Sequence, residues 1–211
     1  MEFSGTFELE DTTTEEVWLA LSDPVMIESA LPGCQFLVEV DDTDVDFDEL
    51  REEYGERDVE PTADPEVIAE RAFEEGNHYA AVIQISIGPV NPTFETVVTI
   101  EERDQPYMEA SGEGSAGDSS FEMTSWMDLT DTDDGVEVDW NTEADVFGRI
   151  AGMGQRVINP AANQVVKRFF SSVQDEIRER EIAEGGEVDA AESNDDDRGI
   201  VDRILGRSEG N

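Results

Sequence analysis

The chain has 211 residues, with 13 Lys+Arg against 54 Asp+Glu and a formal net charge of −41 at pH 7. That length suits one domain, or one domain and a tail, and 37% hydrophobic residues can supply a sizeable core. The charge excludes a direct grip on nucleic acid, which needs clustered Lys and Arg, and it disfavours a bare anionic membrane surface.

Residues 2–9 alternate, with Phe3, Phe7 and Leu9 on one face and Glu2, Ser4, Thr6 and Glu8 on the other, which predicts a strand with one wet face. Thr12 to Thr14 precede Glu15-Glu16 as a helix start, and Val17, Trp18, Ala20 and Leu21 give the helix its apolar side. Asp23-Pro24 begins a second short helix that stops near Pro32-Gly33. Residues 35–40 read as a strand. Residues 41–76 then change texture, with sixteen acidic residues against Arg51, Arg57 and Arg71. Phe47, Leu50 and Tyr54 fall at helical spacing there, as do Val67, Ile68 and Arg71-Ala72. The expectation is a solvated acidic insertion with one or two weak helices.

From residue 79 the pattern is β. Ile83, Ile85 and Ile87 alternate with Val82, Gln84 and Ser86 up to Gly88-Pro89. Phe94, Thr96, Val98 and Ile100 share a face of the next strand, and a turn at Asp104-Gln105-Pro106 leads into a strand from Tyr107 to Gly112. Phe121, Met123, Met127 and Leu129 form one face of another. Asp133-Asp134-Gly135 makes a hairpin turn before Val136, Val138 and Trp140. The period then switches to 3.6, with an apolar stripe from Ile150 through Val157, Ala161, Val165, Phe169 and Val173 to Ile177. Pro160 inside it predicts a kink, or the start of the main segment with Asn159 as cap. Together these elements predict an α+β domain in which a curved antiparallel sheet of about seven strands meets one long C-terminal helix. The domain spans 1–182, and 183–211 reads as an acidic disordered tail. Within that tail, 198–207 is amphipathic: Ile200, Val201, Ile204 and Leu205 share a helical face.

Other residue types narrow the chemistry. Twelve of the basic residues are Arg, and Lys167 is the single Lys. Acid dispersed along the chain with Lys nearly absent predicts a halophilic protein, since at molar salt a Debye length of ~3 Å screens self-repulsion. The competing reading is an acidic surface for a basic partner. Cys34 alone makes no intramolecular disulfide, and His78 alone supplies no Cys/His metal site. No basic-then-apolar leader and no apolar run of membrane-spanning length stand in the sequence, so a cytoplasmic location is expected.

Motif matches are weak. Gly112-Glu113-Gly114-Ser115-Ala116-Gly117 satisfies G-x-G-x-x-G, but a strand follows where a nucleotide site needs a helix, so it reads as a Gly-rich hairpin. Asp44, Asp46 and Asp48 imitate a calcium loop, yet the positions that need Gly and Glu hold Glu49 and Gly55. Cys34 reads as a packed thiol and His78 as a structural residue at a strand start, with no catalytic residue assigned. The informative set is apolar: Phe94, Met123, Met127, Trp140, Met153 and Val157 are candidates to line a space between sheet and helix. The competing reading is an ordinary close-packed core.

The stretch Glu16-Val17-Trp18-Leu19-Ala20-Leu21-Ser22-Asp23-Pro24, followed by Ala30-Leu31-Pro32-Gly33-Cys34, resembles the opening of the CoxG-type proteins of carbon monoxide dehydrogenase. Ile87-Gly88-Pro89-Val90 leading to Thr93-Phe94, the Ser111-Gly112-Glu113-Gly114 stretch, and Arg149 to Phe170 with its paired Phe resemble later parts of the same family. The resemblance covers 1–40 and 78–180, with 41–76 as an insertion. It implies the helix-grip fold of the START-like (SRPBCC) superfamily and a hydrophobic cavity between sheet and helix. It further implies a role beside a molybdenum-containing CO dehydrogenase, docking the enzyme at the inner face of the membrane or carrying quinone to it. Several relatives end in an apolar extension, a part that Ile200, Val201, Ile204 and Leu205 would play here as a membrane or partner contact.

The leading expectation is therefore a non-enzymatic protein that binds a hydrophobic small molecule, a quinone or other lipid-like ligand with no covalent cofactor, and serves a molybdenum hydroxylase-type enzyme. Two alternatives stand beside it. One is a cyclase or hydrolase of the same superfamily using a cavity acid, His78 or a tyrosine. The other is an interaction module acting through the tail.

Overall fold

The first strand is where its alternation predicts, β1 (Glu2–Glu10), and the computed structural model describes residues 1–55, 57 and 59–180. Helix α1 (Thr14–Ser22) starts at a complete capping box: the Glu16 N–H donates to Thr13 Oγ1, and the Thr13 N–H donates to the Glu16 carboxylate. Asp23 ends α1 and caps α2 (Pro24–Ala30), accepting from the Val25 N–H at 3.0 Å, while Pro24 takes a first-turn place where no donor is needed. Gly33 then turns the chain into β2 (Cys34–Val40) at φ +81°, and a Cβ there would collide with the Gln84 carbonyl oxygen.

The remaining strands are β3 (His78–Gln84), β4 (Thr93–Asp104), β5 (Tyr107–Ala116), β6 (Ser119–Asp131) and β7 (Gly135–Gly148). All seven form one antiparallel sheet in the order β1-β7-β6-β5-β4-β3-β2. Sequential hairpins explain the run from β3 to β7, β2 pairs with β3 across the long 41–77 connection, and β1 pairs with β7, Glu2 opposite Glu143 and Glu10 opposite Gly135. After a 3-10 turn at Ala151–Met153, the long helix α5 (Gln155–Arg180) lies against the inner face of the sheet. Leu9, Tyr79, Ile100, Leu129 and Val138 of that face form one core with Trp18 of α1, Met26 of α2 and Val173 and Ile177 of α5. The sheet and its covering helix have the predicted architecture.

Boundaries differ in places. Strand β3 ends at Gln84 rather than at Ile87, because Ile85 to Pro92 fold into a loop closed by the Ile85 N–H to the Pro92 carbonyl (3.1 Å) and by an Ile87–Val90 bridge. The glycines at 112 and 114 belong to β5 and not to a hairpin, whose turn falls at Gly117 with φ +59°. Helix α5 begins five residues before Pro160 and continues past it. Asn159 is therefore a helix residue and not a cap, and its Oδ1 is buried with no hydrogen-bond partner among the described residues.

The acidic insertion is more firmly held than its composition suggests. Its first helix, α3 (Phe47–Tyr54), is capped by Asp46, which accepts from the Asp48 and Glu49 N–H groups, so the calcium-like aspartates begin a helix. Phe47, Leu50 and Tyr54 lie against Phe36, Val38, Ala80, Val82 and Val97 on the outer face of β2, β3 and β4. The second helix, α4 (Pro65–Arg71), buries Ile68 completely in the main core. Each arginine of the insertion meets an acid of the body: Arg51 with Glu95 at 2.5 Å, Arg57 with Glu28, and Arg71 with Asp23 at 2.6 Å. The two short helices expected of an acidic, solvated insertion are there, and a few apolar and cationic side chains anchor them while most of the acids face water. The tail 183–211, with Ile200, Val201, Ile204 and Leu205, lies outside the described residues.

Candidate functional site: an apolar cavity under the long helix

Helix α5 changes character along its length. Towards its C-terminal end Phe169, Phe170, Val173 and Ile177 fill the space below, with the Phe170 ring stacked on Phe7 at 5.1 Å. Towards its N-terminal end the helix presents Ile158, Ala161, Ala162, Val165 and Val166 to the sheet, and a cavity of about 290 Å³ remains. Its other walls are Phe3 of β1, Ile83 of β3, Phe94 and Thr96 of β4, Phe121 and Met123 of β6, and Trp140, Thr142 and Val146 of β7, with Ile85, Ile87 and Ile150 from the loops. Two alanines on the helix and Ala116 and Ala144 on the sheet explain why the facing elements do not meet.

Three of the sequence-predicted residues, Phe94, Met123 and Trp140, stand in this lining. Met127, Met153 and Val157 do not. Met127 lies further along β6, opposite Trp140 in register, and packs against the main core. Met153 precedes α5, and Val157 faces the 85–92 loop: a Cβ on Gly88 would stand 3.1 Å from Val157 Cγ1 and 3.9 Å from Met153 Cε. Sequence reasoning missed Phe3, Phe121 and the alanines. Phe3 and Phe121 were legible as inward residues of their strands, whereas an alanine in an apolar stripe gives no sign of facing a void.

Among the described residues no ionisable side chain lines the cavity. Three of its hydroxyls are engaged: Thr96 Oγ1 donates to the Glu113 carbonyl at 2.9 Å, Ser119 Oγ accepts from the Ile150 N–H at 3.0 Å, and Thr142 Oγ1 shares a 2.8 Å bond with Ser125 Oγ. The groups considered for acid–base work lie elsewhere. His78 Nδ1 bonds Thr99 Oγ1 at 2.8 Å on the outer face. Tyr79 accepts from the Glu74 N–H within the main core, and burial raises its hydroxyl above the ordinary range. Tyr107 donates to Glu109 at 2.6 Å, a bond that pushes its hydroxyl up to about 12. Tyr54 packs on the outer face under Arg57, whose guanidinium is 5.3 Å from the ring centroid. Cys34 donates to the Phe36 carbonyl, and burial, helped by the Glu28 charge, pushes its thiol up to about 12. A protonated thiol of that kind is a poor nucleophile.

A larger groove, about 650 Å³, lies across the opposite face of the sheet, with Glu2, Glu113, Glu122, Glu143 and Asp145 along it. Among the described residues no group of three or more His, Cys, Asp or Glu is arranged to hold a metal ion. What the inner cavity offers is shape and dispersion contact for a neutral, apolar molecule. Among the described residues no helix is long and apolar enough to cross a membrane.

Comparisons with known proteins agree with this geometry. A family model described as carbon monoxide dehydrogenase CoxG matches residues 71–178, just over half of the chain. The comparison with curated proteins gave no match. Among solved structures, a conserved protein from Geobacillus kaustophilus is 23% identical, with 85% of this chain and 96% of that one covered and a TM-score of 0.63. The Zhui aromatase/cyclase from Streptomyces sp. R1128 is 10% identical, covering 88% and 98%, with a TM-score of 0.56. Ara h 8.0201 is 12% identical, covering 85% and 98%, with a TM-score of 0.51. At these identities the likeness is one of fold, the helix-grip arrangement.

Proposed function

The chain belongs to the CoxG family of carbon monoxide dehydrogenase proteins, and on that premise we propose that it is a ligand-binding accessory protein and not a catalyst. It holds a neutral apolar molecule, a quinone or similar lipid-like ring, in the cavity under α5 and supplies it to a molybdenum hydroxylase-type enzyme. The observation that carries this reading is the lining: about 290 Å³ of space, at the lower edge of the roughly 300–1,000 Å³ of small-molecule sites, walled mainly by aliphatic and aromatic side chains with no ionisable group among the described residues. A general acid or base must stand within hydrogen-bond reach of the reacting atom. His78 and the tyrosines do not line this space.

The setting is cytoplasmic and saline, with the acidic coat screened by molar salt. Ile200, Val201, Ile204 and Leu205 make the contact with a membrane or with the partner enzyme, because an apolar face can hold where the charge of the chain repels. The test is to purify the full chain in molar salt, extract it into organic solvent and identify what it carries by mass spectrometry. Extracted protein is then titrated with 2-methyl-1,4-naphthoquinone, whose uptake quenches Trp140. A co-purifying apolar molecule, or saturable quenching, is the expected result. Protein that is consistently empty and takes up no quinone overturns the carrier reading.

A further inference from the structure

Three of the large side chains that wall the cavity share one feature. Trp140, Met123 and Phe121 each stand directly across the ladder from a glycine: Gly5, Gly112 and Gly114 respectively. Each glycine belongs to the inward-facing set of its strand, Gly5 between Phe3 and Phe7, and Gly112 and Gly114 between Ala110 and Ala116. The large side chains occupy the space a Cβ would need. A Cβ on Gly5 would lie 3.4–3.5 Å from three atoms of the Trp140 indole; one on Gly112 would lie 2.9 Å from Met123 Cε and 3.4 Å from its Cγ. One on Gly114 would lie 2.8 Å from Phe121 Cε1 and Cζ, and it would also collide with the Glu95 carbonyl oxygen. The Phe121 ring also meets Phe94, edge to face at 5.8 Å between centroids.

We propose that Gly5, Gly112 and Gly114 are the specificity-determining residues of the cavity. By lending their empty Cβ positions to Trp140, Met123 and Phe121, they let those side chains lie down on neighbouring backbone. The cavity owes its depth to that. A pleated sheet with a side chain at every inward position would stand these three groups upright, into the space under α5. The ligand class follows from the walls that result: a compact one- or two-ring molecule with short substituents, lying against two laid-down rings and a thioether. The inference rests on the cavity being the ligand site, and it locates the size limit in glycines that touch no ligand.

Gly112 gives the cleanest test, because its Cβ would meet the free end of a flexible side chain and only then, at 3.5 Å, the Val97 carbonyl. Gly114 does not, since its Cβ would disturb the β4–β5 ladder itself. The full-length protein and its Gly112→Ala, Met123→Ala and double variants are titrated with 1,4-naphthoquinones carrying no side chain, one isoprene unit or two. Gly112→Ala raises Met123 and weakens the longest member about tenfold while sparing the bare ring. Met123→Ala has the opposite sign on the longest member, and the double variant recovers its affinity. Gly5→Ala, with its looser contact to Trp140, gives a smaller loss of the same kind. A uniform change across the series, or none, overturns the proposal. Xenon uptake under pressure separates the two levels, since a dry apolar cavity takes xenon whatever its natural ligand. Wild-type protein that takes xenon but no naphthoquinone refutes the carrier reading. Xenon uptake in Gly112→Ala then decides this one: reduced occupancy upholds it and equal occupancy refutes it.

Discussion

The two ends of the space beneath α5 are built from the same elements and reach opposite outcomes. At the far end, α1 and α2 add a third layer, and Trp18, Leu9, Met26 and Val173 are completely buried among aromatic neighbours. At the near end no further helix is added among the described residues, α5 presents alanines, and the strands opposite carry glycine beside their large residues. The closed end is where folding energy is concentrated; the other end forgoes some of it and keeps a cavity. Retaining an unfilled apolar space costs stability roughly in proportion to its volume. Such a space persists only if the closed end is strong enough to hold the sheet and helix in place.

That contrast can be broken or sharpened by substitution. The largest effect is expected from Trp18→Ala, which removes a fully buried indole from the closed end and from beneath the Arg103 guanidinium, 5.4 Å from the ring centroid. A loss of about 3–5 kcal/mol, read by chemical denaturation in molar salt, is the expected outcome. Arg71→Ala comes next. It strips Asp23, whose side chain is 0% exposed, of both guanidinium bonds, at 2.6 and 2.8 Å, and leaves a buried carboxylate with no cation. A comparable destabilisation of about 3 kcal/mol, abolished in an Asp23→Asn background, would show that the insertion is tied to the closed end through this pair.

Filling the open end should do the reverse. Ala161→Phe is expected to cut naphthoquinone affinity by at least about tenfold while leaving unfolding free energy within about 1 kcal/mol of the parent, or raising it. A large loss of stability would mean that the cavity end is already close-packed. The smallest effect at neutral pH belongs to Cys34. Its folded thiol holds its proton up to about pH 12, against an ordinary value of 9.0 that the unfolded chain would show. The contribution to stability is therefore whole below about pH 9 and is lost as pH rises towards 12. Denaturation curves between pH 8 and 11 should fall less steeply in Cys34→Ala, and the native thiol should resist alkylation at pH 8.

Much of this was legible from residues alone. Alternation in β1, β4, β6 and β7 and the Thr13–Glu16 and Asp23–Pro24 helix starts are local signals, and local signals survive into the fold. The insertion was less legible, because sixteen acids conceal the three arginines and the apolar Phe47, Leu50, Tyr54 and Ile68 that anchor it, and their partners lie far away in sequence. The cavity was half legible. Phe94, Met123 and Trp140 follow from strand parity, but Met127 shares that parity with Met123 and still falls in the closed end. Parity selects a face of the sheet and carries no information about position along it.

By itself the sequence determined the class of the fold, the inward and outward faces of β1, β4, β6 and β7, and a net charge of −41. These depend on local periodicity and on summed charge, which need no knowledge of neighbours. Only the tertiary structure decided where the inner face is filled and where it is open. That outcome depends on cross-strand register, which sets Gly112 against Met123 and Gly114 against Phe121, and on which turn of α5 lies above them. Volume left over between elements is a property of pairs distant in the chain, and no single segment encodes it.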